Sequence, residues 1–432
     1  MLNTISQIKI LLLLVLSSCL FISCMQKGYI KTSNGQFVQN GKPYYYIGAN
    51  YWYGGLLGNS EAGKIRLQKE LDFLAGNAVN NLRVMVGVEG SGEINGVQRV
   101  KPALQTRQGT FDTSRLNGLD YLLTEMSKRS MKAVLFLSNN WEWSGGFLQY
   151  LNWNGLIADS VLQRKLSWDE NRDYVSRFYS CEPCMDAYKK QLELVINRSN
   201  SYNGKKYVND ETIMSWEIAN EPRPMRPTAI DAYKNWITEV AATIKQLDKN
   251  HLVTTGTEGD IGTETMEVYK QVHADKNIDY ATIHIWPKNW AWFKGEDVQK
   301  DYDSVVIKTK NYINKHVAIA KEINKPLVIE EFGLPRDNQQ FTLQSPVVFR
   351  NSYFKEIFTL WQQSVQTNGP IAGCNFWAFG GTARPRAGQV FWKEGDDYMG
   401  DPPMEEQGLN TVFDTDADTW KMIRSFTQIL KN

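Results

Sequence analysis

Histidine and cysteine are both scarce in this chain of 432 residues, which holds four of the first and five of the second. Cys181-Glu182-Pro183-Cys184 would need a second ligand pair to hold zinc, and His251, His273, His284 and His316 show no ligand spacing. No metal or organic cofactor is implied. A surplus of charge is equally absent. The 48 Lys and Arg against 47 Asp and Glu leave a net charge of +1, without the basic field that draws nucleic acid, and a neutral partner is expected instead. No Gly-rich phosphate loop follows the first strand-like run, which weakens the case for an open doubly wound sheet. After Lys27 there is no low-complexity stretch or Pro/Ser-rich linker, so one domain is the simplest arrangement.

Long apolar runs are missing as well. Residues 10–22 are apolar but too short for a bilayer, which takes roughly 20 residues. Behind the lone Lys9 they read as an export signal. Two cysteines close the run, Cys19 after Leu16-Ser17-Ser18 and Cys24 after Phe21-Ile22-Ser23, each similar to the lipobox at which bacterial lipoproteins are cleaved and acylated. The first is the better match and the second leaves the more normal apolar length, so the choice stays open with a slight preference for Cys24. Residues 1–24 are expected to be a lipoprotein signal peptide and residues 25–432 the exported domain, anchored by lipid to the cell envelope or, alternatively, secreted. Cys181 and Cys184 form either a local disulfide or two free thiols in a loop. Cys374, inside the apolar run 371–376, is expected to be buried and inert.

What the chain does have is 42% hydrophobic residues, enough for a substantial core, and 14 Trp, 20 Tyr and 18 Phe, which suit a protein that stacks flat apolar faces. Strand-like runs lie at 44–49, 78–84, 132–137, 212–217, 252–255, 280–284, 327–331 and 371–376. Helical patterns lie between them: Leu67, Leu71 and Leu74, ended by Gly76; Leu116, Leu119, Leu123 and Met126; Tyr188, Leu192 and Val195; Tyr233, Trp236, Val240, Ile244 and Leu247. Eight strands alternating with helices predict an α/β fold closed as a (β/α)8 barrel, with its active site at the carboxyl ends of the strands. Two loops exceed the usual length, 138–178 after the third strand and 380–413 after the eighth, and are expected to build a cleft.

Two carboxylates carry the chemistry. Glu221 follows the run 212–216 within Trp216-Glu217-Ile218-Ala219-Asn220-Glu221-Pro222-Arg223, and Glu331 follows 326–329 within Leu327-Val328-Ile329-Glu330-Glu331-Phe332-Gly333. A glycosidic bond needs a proton donor at the leaving oxygen and a second carboxylate facing the anomeric carbon, and two carboxylates at strand ends of a barrel fit those tasks. Further polar and aromatic residues at or near strand ends are Arg83, Asn140, Trp141, Asn220, His284, Trp286 and Trp377.

This constellation resembles glycoside hydrolase family 5 of clan A, and more closely its mannan endo-1,4-β-mannosidases. The likeness is carried by Asn40-Gly41-Lys42-Pro43, the segment 216–223, His284-Ile285-Trp286-Pro287, Glu331-Phe332-Gly333, Asn375-Phe376-Trp377-Ala378, Gly400-Asp401-Pro402-Pro403 and Gln407-Gly408-Leu409-Asn410. The resemblance implies that Glu221 is the acid/base and Glu331 the nucleophile of a retaining double displacement. Arg83 would keep Glu331 ionised, Asn220 would bond the sugar 2-hydroxyl, His284 would tune the carboxylates, and Trp377 would lie beneath the sugar at the cleavage point. Arg223 would contact the leaving-group sugar or form a plain ion pair. Position 286 usually holds Tyr in the wider family, and Trp286 offers no phenolic hydrogen bond to orient Glu331. Glu330 is the rival nucleophile; strand neighbours face opposite ways, the family pattern places the carboxylate directly before Phe-Gly, and Glu330 then reads as a buried, paired structural acid. Trp141, Trp143, Trp290, Trp292 and Trp392 are candidate stacking residues, about half of them expected in the cleft.

The implied activity is hydrolysis of internal β-1,4 bonds of mannan, glucomannan or galactomannan by a monomer that touches the membrane only through its lipid. A family 5 β-1,4-glucanase, which uses the same carboxylate pair, is the alternative enzyme. A non-catalytic surface glycan-binding lipoprotein is the alternative of another class, disfavoured because both carboxylates are present.

Overall fold

The computed structural model describes residues 28–293 and 298–431; the stretch expected to be an export signal, with Cys19 and Cys24, lies outside them. Its strands β1 (Tyr46–Asn50), β2 (Asn81–Met85), β3 (Lys132–Phe136), β4 (Ile213–Glu217), β5 (Leu252–Thr254), β6 (Ala281–Ile285), β7 (Leu327–Phe332) and β8 (Ile371–Phe376) coincide with the eight expected runs to within three residues at either end. The helices that follow them in turn are α1 (Glu61–Gly76), α2 (Leu116–Lys128), α3 (Glu182–Ile196), α4 (Ile230–Leu247), α5 (Met266–Ala274), α6 (Tyr302–Glu322), α7 (Val348–Gln366) and α8 (Ala417–Thr427). Among the described residues no helix is long and apolar enough to cross a membrane.

The strands pair in parallel in the order β5-β4-β3-β2-β1-β8-β7-β6. Between β5 and β6 the wall is completed by other bonds: the Asp279 amide donates to the Val253 carbonyl at 2.8 Å and the Thr254 hydroxyl to the Tyr280 carbonyl at 3.0 Å. The result is the (β/α)8 barrel. Apart from Lys132, strand residues are buried on both faces, which is why these segments read as continuous apolar runs rather than alternating ones.

One set of side chains fills the barrel and another joins it to its helices. Tyr46, Val134, Met214, Leu252, Tyr280, Val328 and Ala372 pack inside, together with Ile30 and Phe37 from an amino-terminal hairpin that closes the lower end. Outside, helices present stripes at helical spacing, such as Leu67, Leu71 and Leu74 of α1, whose first turn is capped by the Ser60 hydroxyl accepting from the Gly63 amide.

The two expected long loops are present, and a third, 86–112 after β2, was not anticipated; it holds the small hairpins Glu93–Ile94/Val97–Gln98 and Gln105–Arg107/Thr110–Phe111. The loop after β3 is folded around the helices Gly146–Trp153, Asp159–Gln163 and Trp168–Val175. Cys181 and Cys184 form a disulfide at the start of α3, and Cys374 is buried. The loop after β8 is locked by Asp401, whose carboxylate accepts from the amides of Gly408, Asn410 and Thr411 and from the Thr411 hydroxyl. That lock gives the Gly400–Pro403 and Gln407–Asn410 motifs a structural meaning.

The barrel interior leaves little room for added atoms at Gly48 on β1. A Cβ there would lie 2.4 Å from both the Asn375 amide nitrogen and the Asn81 carbonyl oxygen, and the backbone carbonyl cannot swing away. Gly48→Ala is therefore expected to lower stability by about 1–3 kcal/mol, read from the midpoint of urea unfolding.

Candidate active site

At the carboxyl end of the barrel lies a cavity of about 390 Å³, within the range of small-ligand sites, lined among others by Glu221, Glu331, Asn220, Arg223, Trp286 and Trp377. Its floor is held by one buried cation. Arg83, from β2, donates from Nε and Nη2 to Glu217 at 2.8 and 2.6 Å, from Nη1 to Asn50 at 3.1 Å, and from Nη2 to Asn220 at 2.6 Å. Its Nη1 also bonds Oε1 of Glu331.

Glu331 receives a second donor at 3.1 Å, the indole N–H of Trp286. Trp286 has no phenol to offer, as read from the sequence, but its indole N–H supplies Glu331 with an orienting bond. Glu221 sits just past β4 with φ of 52°, a backbone region that residues other than glycine avoid, and its amide donates to the Gly256 carbonyl at 2.9 Å. Its carboxylate accepts from the indole N–H of Trp141 and lies 2.7 Å from Nδ1 of His284.

Oxygens of Glu221 and Glu331 and a ring nitrogen of His284 lie within 4.8 Å of one another. Such a triad has the donors to chelate a cation, but the Arg83 guanidinium against Glu331 makes it a place for a proton instead. Burial raises both carboxyls above the ordinary carboxylic range, and Glu221 adds to the rise at Glu331. Two close buried acids hold one proton between them across a broad pH range. The Arg83 guanidinium, in direct contact with Glu331, favours the charged form there, and on that contact we place the shared proton on Glu221. Burial pushes His284 down to about 4, so the imidazole is neutral at neutral pH.

The strand-end residues named from sequence converge here with one exception. Asn140 is buried with neither amide atom bonded and is not among the cavity's lining residues; its neighbour Asn139 instead accepts from Asn220 Nδ2 at 3.0 Å. Arg223 forms the ion pair weighed for it and also reaches the cavity. It pairs with Glu258, and its guanidinium lies 5.0 and 5.9 Å from the ring centres of Trp141 and Trp168 within the cavity wall. Of the stacking candidates, Trp141, Trp143 and Trp290 line the cavity; Trp292 packs on Tyr312 and Trp392 stacks on Tyr398.

Sequence reasoning missed Trp168, Glu258, Asn289, Met404 and Glu405 and named Pro402 only within the Gly400–Pro403 motif; all six line the cavity. Trp168 is 53% exposed, which is costly for its ring unless something stacks on it. The long loops after the third and eighth strands were the available signal, since they supply Trp168 and the segment from Pro402 to Glu405. Glu330 is buried as expected and lies in ion-pair range of Arg83 at 3.8 Å, but neither carboxylate oxygen has a hydrogen-bond partner, and it faces the same interior as Glu331.

A family model described as glycoside hydrolase family 5, β-mannosidase-like, matches residues 27–432. Mannan endo-1,4-β-mannosidase 7 of Arabidopsis thaliana is 28% identical over 364 residues, covering 81% of this chain and 77% of that protein. The crystal structure of a family 5 mannosidase from Rhizomucor miehei superposes with a TM-score of 0.84 at 31% identity, covering 94% of this chain and 98% of that one. An endo-1,4-β-D-mannanase from Thermotoga petrophila shares the fold, with a TM-score of 0.65 at 23% identity over 89% of this chain and 100% of its own.

The indole bond to Glu331 makes a direct prediction. Trp286→Phe keeps a ring against Gly333 but removes a donor to a charged group, an interaction worth about 1.5–3 kcal/mol. Steady-state kinetics on the variant should show kcat lowered by about ten- to a hundredfold.

Proposed function

The chain belongs to glycoside hydrolase family 5, and from that premise we propose that it hydrolyses internal β-1,4-mannosidic bonds of mannan, glucomannan or galactomannan with retention of configuration. The observation that carries the stereochemistry is the spacing of the two acids, whose oxygens approach within 4.8 Å. Retaining enzymes hold their carboxyls roughly 5–5.5 Å apart, whereas inverting ones need about 6.5–9.5 Å to admit a water.

Glu331, kept ionised by Arg83, attacks the anomeric carbon while Glu221 gives its proton to the leaving oxygen. Water, deprotonated by Glu221, then opens the glycosyl ester. Trp377 and Trp286, crossed edge to face with ring centres 5.5 Å apart, offer the apolar surface for the sugar at the cleavage point. The Trp141–Arg223–Trp168 stack beside Glu221 suits the leaving-group sugars. Asn220, held by Arg83 and Asn139, is positioned for the 2-hydroxyl. A β-glucanase would use the same pair, and the choice of mannan rests on likeness to the relatives described above.

A second reading, exo-acting β-mannosidase, is favoured by one observation. Glu405 puts into the cavity wall a carboxylate with a buried, unbonded oxygen, a group suited to grip the free hydroxyls of a chain end. The likeness to a protein named simply a mannosidase supports it as well. We also propose that residues 1–24 direct export and that Cys19 or Cys24 carries lipid, supported by Lys9 and the short apolar run after it; labelling with a radioactive fatty acid should be lost in one cysteine variant.

Purified protein on mannohexaose and on carboxymethylcellulose separates the readings. Mixed short oligomers from the first and no reducing ends from the second are the expected result; mannose alone would favour exo action, and release from cellulose alone would overturn the mannosidase assignment. Glu221→Ala should lose about a thousandfold or more in kcat on oligosaccharides yet far less on an aryl mannoside with a good leaving group, and azide should partly restore it as a β-mannosyl azide.

A further inference from the structure

Glu330 is not where regular strand geometry puts it. In the pairing of β6 with β7, Ile283 lies opposite Ile329 and His284 lies opposite Glu331, so Glu330 is an extra residue on β7. Such a bulge re-aims side chains and is common beside active sites. Here it turns two consecutive glutamates into the barrel. Glu330 comes within 3.5 Å of Nε2 of His284 and 3.8 Å of Nε of Arg83. Facing the same space are Tyr46 of β1, Glu217 of β4 and Tyr280 just ahead of β6.

The hydrogen-bond inventory then fixes a protonation state. Neutral imidazole has one donor nitrogen and one acceptor. Nδ1 of His284 faces an oxygen of Glu221 at 2.7 Å and one of Glu331 at 3.4 Å; the ionised Glu331 can only accept, which favours Nδ1 as the donor nitrogen. Nε2 is then the accepting nitrogen, and it is buried without a bonded partner; the Glu330 carboxyl lies 3.5 Å from it, with both oxygens also buried and unbonded. Arg83 cannot serve Glu330 as a counter-ion in full, because its guanidinium N–H groups already go to Glu217, Asn50, Asn220 and Glu331. An ionised Glu330, 1% exposed, would be a buried anion without a hydrogen bond.

We infer that Glu330 is a positioning acid: protonated, its O–H is directed at Nε2 of His284 and fixes the imidazole in the Nδ1–H form that faces the acid/base Glu221. This rests on the acid/base reading of Glu221. When Glu221 gives its proton to the leaving oxygen, the new carboxylate keeps the Nδ1–H donor it already faces. When Glu221 removes a proton from water, the same donor keeps its basic oxygen aimed at the cleft. The proton on Glu330 does not leave in either step, so each step balances without it.

Two measurements test this. Infrared difference spectra at neutral pH between Glu221→Gln and the Glu221→Gln/Glu330→Gln double variant should show a protonated carboxyl C=O stretch lost in the second; no such band would overturn the inference, and since no substrate is used, that outcome is separate from any failure of the mannosidase reading. In kinetics on mannohexaose, Glu330→Gln, which keeps an N–H donor, should retain at least tenfold more kcat than Glu330→Leu. The alkaline limb of kcat/KM should hold its place or move upward in Glu330→Gln, because no charge is removed. A downward move would mean that an anion had been deleted beneath Glu221, and would overturn the inference even if the leucine variant failed to fold.

Discussion

One guanidinium, buried to 0% exposure inside the barrel, is the point on which the site depends. Arg83 binds groups from four places that the chain brings together only by closing the barrel: Asn50 on β1, Glu217 on β4, Asn220 in the turn after β4, and Glu331 on β7. The planar fork of arginine can serve several acceptors at fixed angles while staying charged, which a lysine could not do. Left without these carboxylates the cation would be untenable at that depth, and without the cation the carboxylates would all take up protons. Structure and catalytic readiness therefore rest on the same contacts.

Around that cation the protein arranges acids with different tasks by giving them different donors. Glu217 accepts from two of the guanidinium's nitrogens, which favour its charged form against the burial that raises it. Glu331 shares the guanidinium and adds an indole N–H. Glu221 faces an indole and a neutral imidazole, partners that tolerate either of its protonation states. Glu330 lies 3.5 Å from the far nitrogen of that imidazole and 3.8 Å from Nε of Arg83, hydrogen-bonded to neither. Four glutamates within one interior are thus distinguished by geometry rather than by residue type, which is how a single buried site can hold a nucleophile and a proton donor at once.

The barrel was legible from the sequence because its strands are buried on both faces and stand out as eight apolar runs, while the first four of its eight helices could be read from one apolar stripe each. The two glutamates proposed as catalytic were legible because each stands where an apolar run stops. The loop after β2 was not, since its hairpins are two or three residues long and leave no periodic trace. Trp168 stood outside every motif and became part of the cleft only through the fold of the loop after β3. The indole bond to Glu331 could not be foreseen from comparison with a tyrosine, because it depends on where the ring nitrogen lands. Glu330 was misjudged in one respect for a definable reason: the rule that strand neighbours face opposite ways assumes regular pairing, and the bulge at β7 suspends it.

The central claim, that Glu331 rather than its neighbour forms the covalent intermediate, is tested most directly by trapping that intermediate. An activated 2-deoxy-2-fluoromannoside slows the hydrolysis of the glycosyl ester, and digestion followed by mass spectrometry locates the label. The account predicts a stoichiometric fluoromannosyl ester on Glu331 and none in the Glu331→Gln variant. A label on Glu330, or turnover with inversion and no trapped ester, would contradict it.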